Sequence, residues 1–181
     1  DKEKVDSGLF RIAIANTRIA DADIFSALNG KSNMNIDRLY DLHRVLNSAR
    51  KQRANIIVLP EVYIPTNWVG HLLNFSKTQQ ILIVAGIEHF TFNGTVYNYS
   101  LACVPQSING YLFSFPIVQL KKHYSPLEHE IIEKKMHLKV PTNKNHYFNL
   151  LSFPNLRMGI YNCFDIANLA GSKQRVNGRS L

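Results

Sequence analysis

The chain has 181 residues, 45% hydrophobic and 19% charged, a composition typical of one globular domain with a real core. Its longest apolar runs are strand-sized, far short of the roughly 20 residues of a membrane-spanning helix, and residues 1–8 are too polar for a secretion signal. Cys103 and Cys163 lie far apart and outside any CxxC pattern, which argues against a disulfide framework or a zinc site. We therefore expect a cytoplasmic protein with no membrane partner, no metal and no cofactor.

The formal net charge is +8, from 21 basic and 13 acidic residues. Such a charge attracts anionic partners, but the basic residues are dispersed along the chain instead of alternating with aromatic residues. We interpret the charge as solvated surface charge, and we expect a nucleic-acid partner only through a fused domain.

The first half of the chain predicts a parallel β-α-β unit. Residues 9–15 (LFRIAIA) are typical of a buried strand, and after a polar loop the apolar residues of 36–52 recur at helical spacing, with Asn35 as the N-cap. The all-apolar stretch 55–59 (NIIVL) predicts a second strand. Two apolar strands joined by a long amphipathic helix indicate a parallel sheet that is covered by that helix.

The second half predicts more strands. A weaker helical stripe over residues 68–75 precedes the strand 81–88, and two further strands, 96–104 and 110–115, form a predicted hairpin around the loop 105–109. Residues 121–146 are polar and are predicted to be irregular. Two short strands, 147–153 and 156–162, turn at Pro154-Asn155, so the whole pattern indicates an α/β fold of stacked sheets and outer helices.

Three strand ends carry a reactive side chain: Glu61, Lys121 and Cys163. Because residues at the carboxyl ends of strands project into the crevice where α/β proteins bind ligands, all three are candidates for one site. Taken singly, each has an ordinary structural role, as a loop acid, a solvated cation and a small buried hydrophobe.

Together, the strand-plus-LPE at 59–61, KKHYSPLE at 121–128 and GIYNCFD at 159–165 resemble the three signatures of the nitrilase, or carbon-nitrogen hydrolase, superfamily. The segments VAGIEHF and VYNYSLACV fit the same family pattern, and the resemblance covers residues 9 to about 168. It implies a four-layer α-β-β-α sandwich with a Glu-Lys-Cys triad.

The resemblance assigns a role to each site residue. Cys163 is the expected nucleophile, Glu61 the general base, and Lys121 the cation that stabilises the tetrahedral oxyanion, with the backbone N–H of Phe164 as a second donor. A thiol with a pKa of about 8.5 is mostly protonated at neutral pH, so a nearby base must take its proton as it attacks.

The register of the lysine motif leaves alternatives open. Lys121 is preferred over Lys122 as the catalytic lysine, and Glu128 matches a second glutamate that orients the lysine and the substrate, with Glu130 as its alternative. We expect His123 to be a structural neighbour and not the base.

Family members extend much further beyond the nucleophile than residues 164–181 do here. We therefore expect this sequence to be an excerpt of a longer chain, or a join of ordered segments from one, with residues 1–8 as a linker and 9–181 as a nitrilase-like domain that is incomplete at its C-terminal side. Residues 171–181 faintly resemble a late strand and turn of the family.

The predicted function is an amidase-type hydrolase that acts on a small-molecule amide or nitrile through a thioester intermediate. The alternative is an assembly or ligand-sensing module of a homo-oligomeric antiviral defence protein, fused to a reverse transcriptase, a branch that the segments VYIPTNWVGHLLNFS and KKHYSPLEHEII also fit. A nucleic-acid-binding domain ranks last, since no recognition motif accompanies the charge.

Overall fold

The computed structural model describes residues 10–142, 148–154 and 156–166. The predicted linker 1–8, the first residue of the first predicted strand, and the late strand and turn at 171–181 lie outside the described residues.

The predicted β-α-β topology is confirmed, but the predicted burial of its first strand is wrong, because Ile12 and Ile14 are exposed. Strand β1 (Ile12–Ile14) pairs in parallel with the next strand, β2 (Ile56–Val58), and a long helix, here called α2 (Ile36–Lys51), connects them. The side chain of Asn35 accepts a hydrogen bond from the Asp37 N–H, which makes it the N-cap of α2 as expected.

The stretch before α2 is not only a loop, because it contains helix α1 (Asp21–Leu28). Ala27 and Leu28 on this helix are buried. Asp21 and Asp23 lie in its first turn, where negative side chains stabilise a helix through their attraction to the positive end of its dipole. The polar residues that suggested a loop are therefore the exposed and N-terminal part of a short amphipathic helix.

The main sheet has five strands in the order β1-β2-β3-β4-β5. Strand β3 (Leu82–Phe92) is parallel to β2, and it follows a short 3-10 turn (Thr66–Trp68) and helix α3 (Val69–Gln79). Strands β4 (Thr95–Ile108) and β5 (Tyr111–Leu120) complete an antiparallel meander.

The predicted hairpin is confirmed, but the predicted loop at 105–109 is wrong over most of its length, because β4 continues to Ile108. The turn is the Asn109-Gly110 pair, and both residues have positive φ, as a tight hairpin turn requires. Asn93-Gly94 makes the same kind of turn between β3 and β4.

The two faces of the sheet bury different partners. Helices α2 and α3 supply Leu42, Leu46 and Leu72 against Ile57 and Ile83 on one face. A second sheet, made of the predicted hairpin β6 (Leu150–Phe153) and β7 (Leu156–Gly159), packs on the opposite face. The described residues thus form three successive layers, α-β-β, and an outer helical layer over β6 and β7 is not among them.

The stretch after β5 is more regular than predicted. Helix α4 (Pro126–His129) continues into a π-helix (Glu130–Lys135), so the expectation of an irregular segment is wrong there. Ile132 of this helix packs with Leu28, Val96 and Tyr124 in a small separate core. Among the helices of the described ranges, we find none with the length and apolar content needed to span a lipid bilayer.

Candidate active site

The main sheet brings two of the candidate residues to the same edge. Strand β5 is antiparallel to β4, and β4 is antiparallel to β3, so β5 runs in the direction of β2 and β3. Glu61 follows β2 and Lys121 follows β5, and therefore both lie at the carboxyl edge of the sheet, where α/β proteins bind ligands.

Lys121 is the centre of the cluster. Its side chain is 1% exposed, and its ammonium donates to Glu61 Oε1 at 2.9 Å and to Glu128 Oε1 at 2.5 Å. The ring of Tyr124 lies 5.4 Å from the ammonium. A buried cation is tolerated only when it is paired and hydrogen-bonded, and the two carboxylates meet that requirement.

The charge states follow from these contacts. Burial on its own lowers the pKa of Lys121, but the charges and hydrogen bonds of Glu61 and Glu128 outweigh it, so the net shift is upward. Burial raises the pKa of Glu128, but the hydrogen bonds from Lys121 and Ser125 outweigh that effect and lower it. The lysine is therefore held as a cation and Glu128 as an anion at neutral pH.

Glu128 is fixed by the start of a helix. Ser125 is the N-cap of α4, its hydroxyl accepts from the Glu128 N–H at 3.2 Å, and Glu128 Oε2 accepts from the Ser125 N–H at 2.7 Å. This reciprocal pair is a capping box. One carboxylate oxygen thus serves the helix cap and the other serves Lys121.

Glu61 depends on a glycine of the neighbouring strand. A Cβ atom on Gly86 would lie 2.3 Å from the Glu61 Cα and 2.7 Å from the Pro60 carbonyl oxygen, so only glycine lets the backbone pass this close. The Gly86 N–H donates to the Pro60 oxygen at 3.2 Å, and the Gly86 oxygen accepts from the Ile64 N–H at 3.1 Å. These bonds hold the 60–64 loop against β3.

Cys163 lies in a turn beyond β7. Its φ of 36° is in the left-handed region, its side chain is exposed, and the turn is closed by the Asp165 N–H donating to the Asn162 oxygen at 2.8 Å. Asn162 is buried, accepts from the Ser100 hydroxyl and donates to the Gln119 oxygen at 3.4 Å, which anchors the turn to β4 and β5.

The thiol of Cys163 interacts with all three charged groups of the cluster. Partial burial and then the charge of Glu61 raise its pKa, and Lys121 opposes them. The thiol is therefore protonated at neutral pH and a carboxylate that can take its proton lies beside it. Burial raises the pKa of the other cysteine, Cys103, to about 12, so that thiol is an inert core group.

The structure places the alternative residues elsewhere. The Lys122 ammonium lies 4.9 Å from the centre of the Phe148 ring, Glu130 is exposed on the π-helix, and the His123 ring bonds Asp165 at 3.0 Å. Phe164 directly follows Cys163, in a helical stretch that the structure describes as far as residue 166. Its N–H is therefore adjacent to the thiol in sequence.

Sequence reasoning overlooked three contributors to this site. Nothing in the sequence around Gly86 indicates that the loop containing Glu61 packs directly against it. The capping box had a signal, the S-x-x-E spacing of Ser125 and Glu128, which predicts a helix start. His89 lies within a register shift in β3, where burial lowers its pKa to about 4 and leaves it neutral, with Nδ1 lacking a partner within the described residues.

Two cavities bear on where a ligand could bind. One of about 370 Å³ touches Lys121 and is also lined by Thr95, Tyr97 and Lys139, whereas a larger one of about 500 Å³ is lined by Arg18, Arg38 and other residues around α1. Neither is lined by Glu61 or Cys163. Among the described residues, no group of three or more His, Cys, Asp or Glu side chains is placed to hold a metal ion.

No family model and no curated protein matches the sequence. Among solved structures, an amidase from Nesterenkonia sp. AN1, captured with acrylamide added to its active-site cysteine, matches with a TM-score of 0.54 and 13% identity over 87% of this chain and 59% of its own. A cysteine-to-alanine mutant of that amidase, described as a member of the nitrilase superfamily, matches with a TM-score of 0.51 and 13% identity over 87% and 57%. The chain has the nitrilase fold.

A carbon-nitrogen hydrolase from Helicobacter pylori shares the nitrilase fold with this chain, with a TM-score of 0.51 and 13% identity over 86% of this chain and 52% of its own. The predicted fold class is therefore confirmed. The chain spans between about half and three fifths of the length of these proteins.

The raised thiol pKa gives a first test of the cluster. Replacing Glu61 by Gln removes the charge and the hydrogen bond that raise the pKa of Cys163, while Lys121 remains to lower it. We expect the midpoint of the pH profile for iodoacetamide labelling to fall, so that labelling at pH 8 becomes faster. Intact mass spectrometry measures the rate, and Cys163→Ser should abolish labelling because Cys103 is buried. A labelling midpoint that stays unchanged or rises would show that Glu61 does not raise the pKa of the Cys163 thiol.

A second test concerns the close approach at Gly86. In Gly86→Ala the new methyl group meets backbone atoms of residues 60 and 61, so the loop must move. We expect the free energy of unfolding, measured by urea denaturation, to fall by about 1–3 kcal/mol and the iodoacetamide profile of Cys163 to shift as in Glu61→Gln.

Gly70→Ala is the matched control for this change. Gly70 lies in α3, and within the described ranges no residue outside the backbone of that helix comes within 4 Å of the position that a methyl group would occupy there. Alanine should therefore raise the free energy of unfolding by about 0.5–1 kcal/mol without changing the labelling profile. Equal effects of the two substitutions would contradict the role of Gly86.

Proposed function

We propose that the protein is an amidase-type carbon-nitrogen hydrolase that uses Cys163, Glu61 and Lys121 on a small-molecule amide. The observation that carries the proposal is the contact of the buried Lys121 ammonium with Glu61, beside a Cys163 thiol whose pKa is raised. The nitrilase fold supports it, since the compared proteins with this fold are amidases and a carbon-nitrogen hydrolase.

In the first half of the reaction, Glu61 takes the proton from the Cys163 sulfur as the sulfur attacks the carbonyl carbon. The negative charge that develops on the carbonyl oxygen is stabilised by the Lys121 ammonium and the Phe164 N–H, an arrangement in which one donor is worth about 10²-fold to 10³-fold in rate. The tetrahedral intermediate collapses, the C–N bond breaks, and Glu61 returns its proton to the departing amine.

In the second half, water replaces the amine. Glu61 takes a proton from the water molecule as the water oxygen attacks the thioester carbon. The C–S bond then breaks to release the carboxylic acid, and Glu61 returns its proton to the departing sulfur, which restores the thiol. Glu128 orients the Lys121 ammonium throughout, since its other oxygen is fixed by the cap of α4.

Turnover of short aliphatic amides, followed as ammonia release, tests the proposal. Cys163→Ala should abolish turnover, because no other exposed thiol exists in the sequence to replace the nucleophile. Cys103→Ala is the matched control, as it removes the other cysteine, a core residue, and should leave kcat close to that of the unmodified protein. Full turnover by Cys163→Ala would remove the cysteine from the mechanism, and faster release from nitriles than from amides would change the substrate class.

The second candidate is an assembly or ligand-sensing module of a homo-oligomeric antiviral protein fused to a reverse transcriptase. Its assembly role is supported by the apolar side chains exposed along β5, including Tyr111, Phe113 and Phe115. In this alternative, Cys163→Ala keeps the biological activity and substitutions on the exposed apolar surface lose it.

A further inference from the structure

The proposed reaction gives no role to Asp165, a carboxylate that is 0% exposed among the residues that the structure describes. Its Oδ1 accepts from the backbone N–H groups of Lys122 at 3.1 Å and His123 at 2.8 Å, and it lies 3.0 Å from the His123 ring Nδ1. Its Oδ2 accepts from the Asn162 N–H at 3.4 Å.

These donors satisfy a group that is costly to bury. An ionised carboxylate inside a protein is stable only when its oxygens are hydrogen-bonded, and bonds to a charged acceptor are stronger than neutral ones. Moving any one of these N–H donors away would remove a hydrogen bond from a buried carboxylate oxygen. The carboxylate therefore restrains the chain segments that carry the donors.

The donors come from two different parts of the chain. Lys122 and His123 directly follow Lys121, whereas Asn162 directly precedes Cys163. The turn of the nucleophile and the loop of the lysine are therefore joined through one side chain, within two residues of each reactive group. Asn162 anchors the same turn to the main sheet but has no such bond to the lysine loop among its described contacts.

We propose that Asp165 is a positioning residue that sets the position of the Cys163 sulfur relative to Lys121 and Glu61. The effect of Asp165 on the rate of hydrolysis rests on the proposed amidase function, but its effect on the position and pKa of the Cys163 thiol does not. Without the carboxylate the turn and the loop separate, and the sulfur leaves the carboxylate that must take its proton.

Asparagine is the informative replacement, because it has the shape of aspartate with one acceptor oxygen instead of two. Whichever way the amide is turned, its NH₂ group faces backbone N–H donors, either that of Asn162 or those of the lysine loop. A donor facing a donor leaves buried groups unpaired and breaks one side of the link.

The experiment measures the pH profile of iodoacetamide labelling at Cys163 together with kcat and KM in Asp165→Asn. We expect the labelling midpoint to fall, with labelling at pH 8 faster by about twofold or more, because the thiol moves away from Glu61. A displacement of about 1 Å costs about 100-fold in rate, so kcat should fall by that order while KM changes little.

Ser76→Ala is the matched control for a lost buried hydrogen bond. Ser76 is 0% exposed and its hydroxyl donates to the Cys103 oxygen at 3.0 Å, away from the cluster. This variant should lower the melting temperature without moving the labelling profile or kcat. If Asp165 had a purely structural role, Asp165→Asn would also lower the melting temperature and leave the labelling profile and kcat unchanged. That result would overturn the proposal.

His123→Phe keeps the test open if Asp165→Asn fails to fold. It removes the ring donor and leaves both backbone donors to Oδ1, so the midpoint should fall in the same direction by a smaller amount. An unchanged midpoint in the variant that folds contradicts the proposal. If the unmodified protein hydrolyses no amide, the proposed function fails, and the labelling profiles still decide the role of Asp165.

Discussion

The site depends on one constraint, the burial of the Lys121 ammonium. A cation that is 1% exposed must be matched by negative charge, and Glu61 and Glu128 supply it from two different parts of the chain. Removing one partner of a buried ion pair typically costs about 3–5 kcal/mol, so the three side chains hold one another in place. The same arrangement keeps a positive charge beside the Cys163 thiol.

Each side chain around Lys121 is held in position by a different local interaction. The close approach allowed by Gly86 fixes the backbone of Glu61, and the capping box of α4 fixes Glu128. Asn162 ties the turn that carries Cys163 to the main sheet. Glu61, Lys121 and Cys163 lie on loops, but each loop is anchored to a strand or a helix end, which restricts the positions that the three side chains can take.

The sequence predicted those parts of the structure that local periodicity determines. The β-α-β unit, the N-cap Asn35 and the β6-β7 hairpin follow from apolar spacing and turn residues, and the structure has them. Helix α1 was missed because its apolar face is short, and the loop at 105–109 was wrong because strand pairing carries β4 through polar residues. The close approach at Gly86 and the bonds from Asp165 to residues 122 and 123 join residues far apart in the sequence, so no local pattern reveals them.

The central claim is that Cys163 carries an acyl group during turnover. Quenching the protein in acid while it hydrolyses a short aliphatic amide, followed by peptide mass spectrometry, tests it most directly. We expect one acyl group per chain, on the peptide that contains Cys163. Steady turnover with no acyl group on that peptide, or with the acyl group on another residue, would contradict the claim.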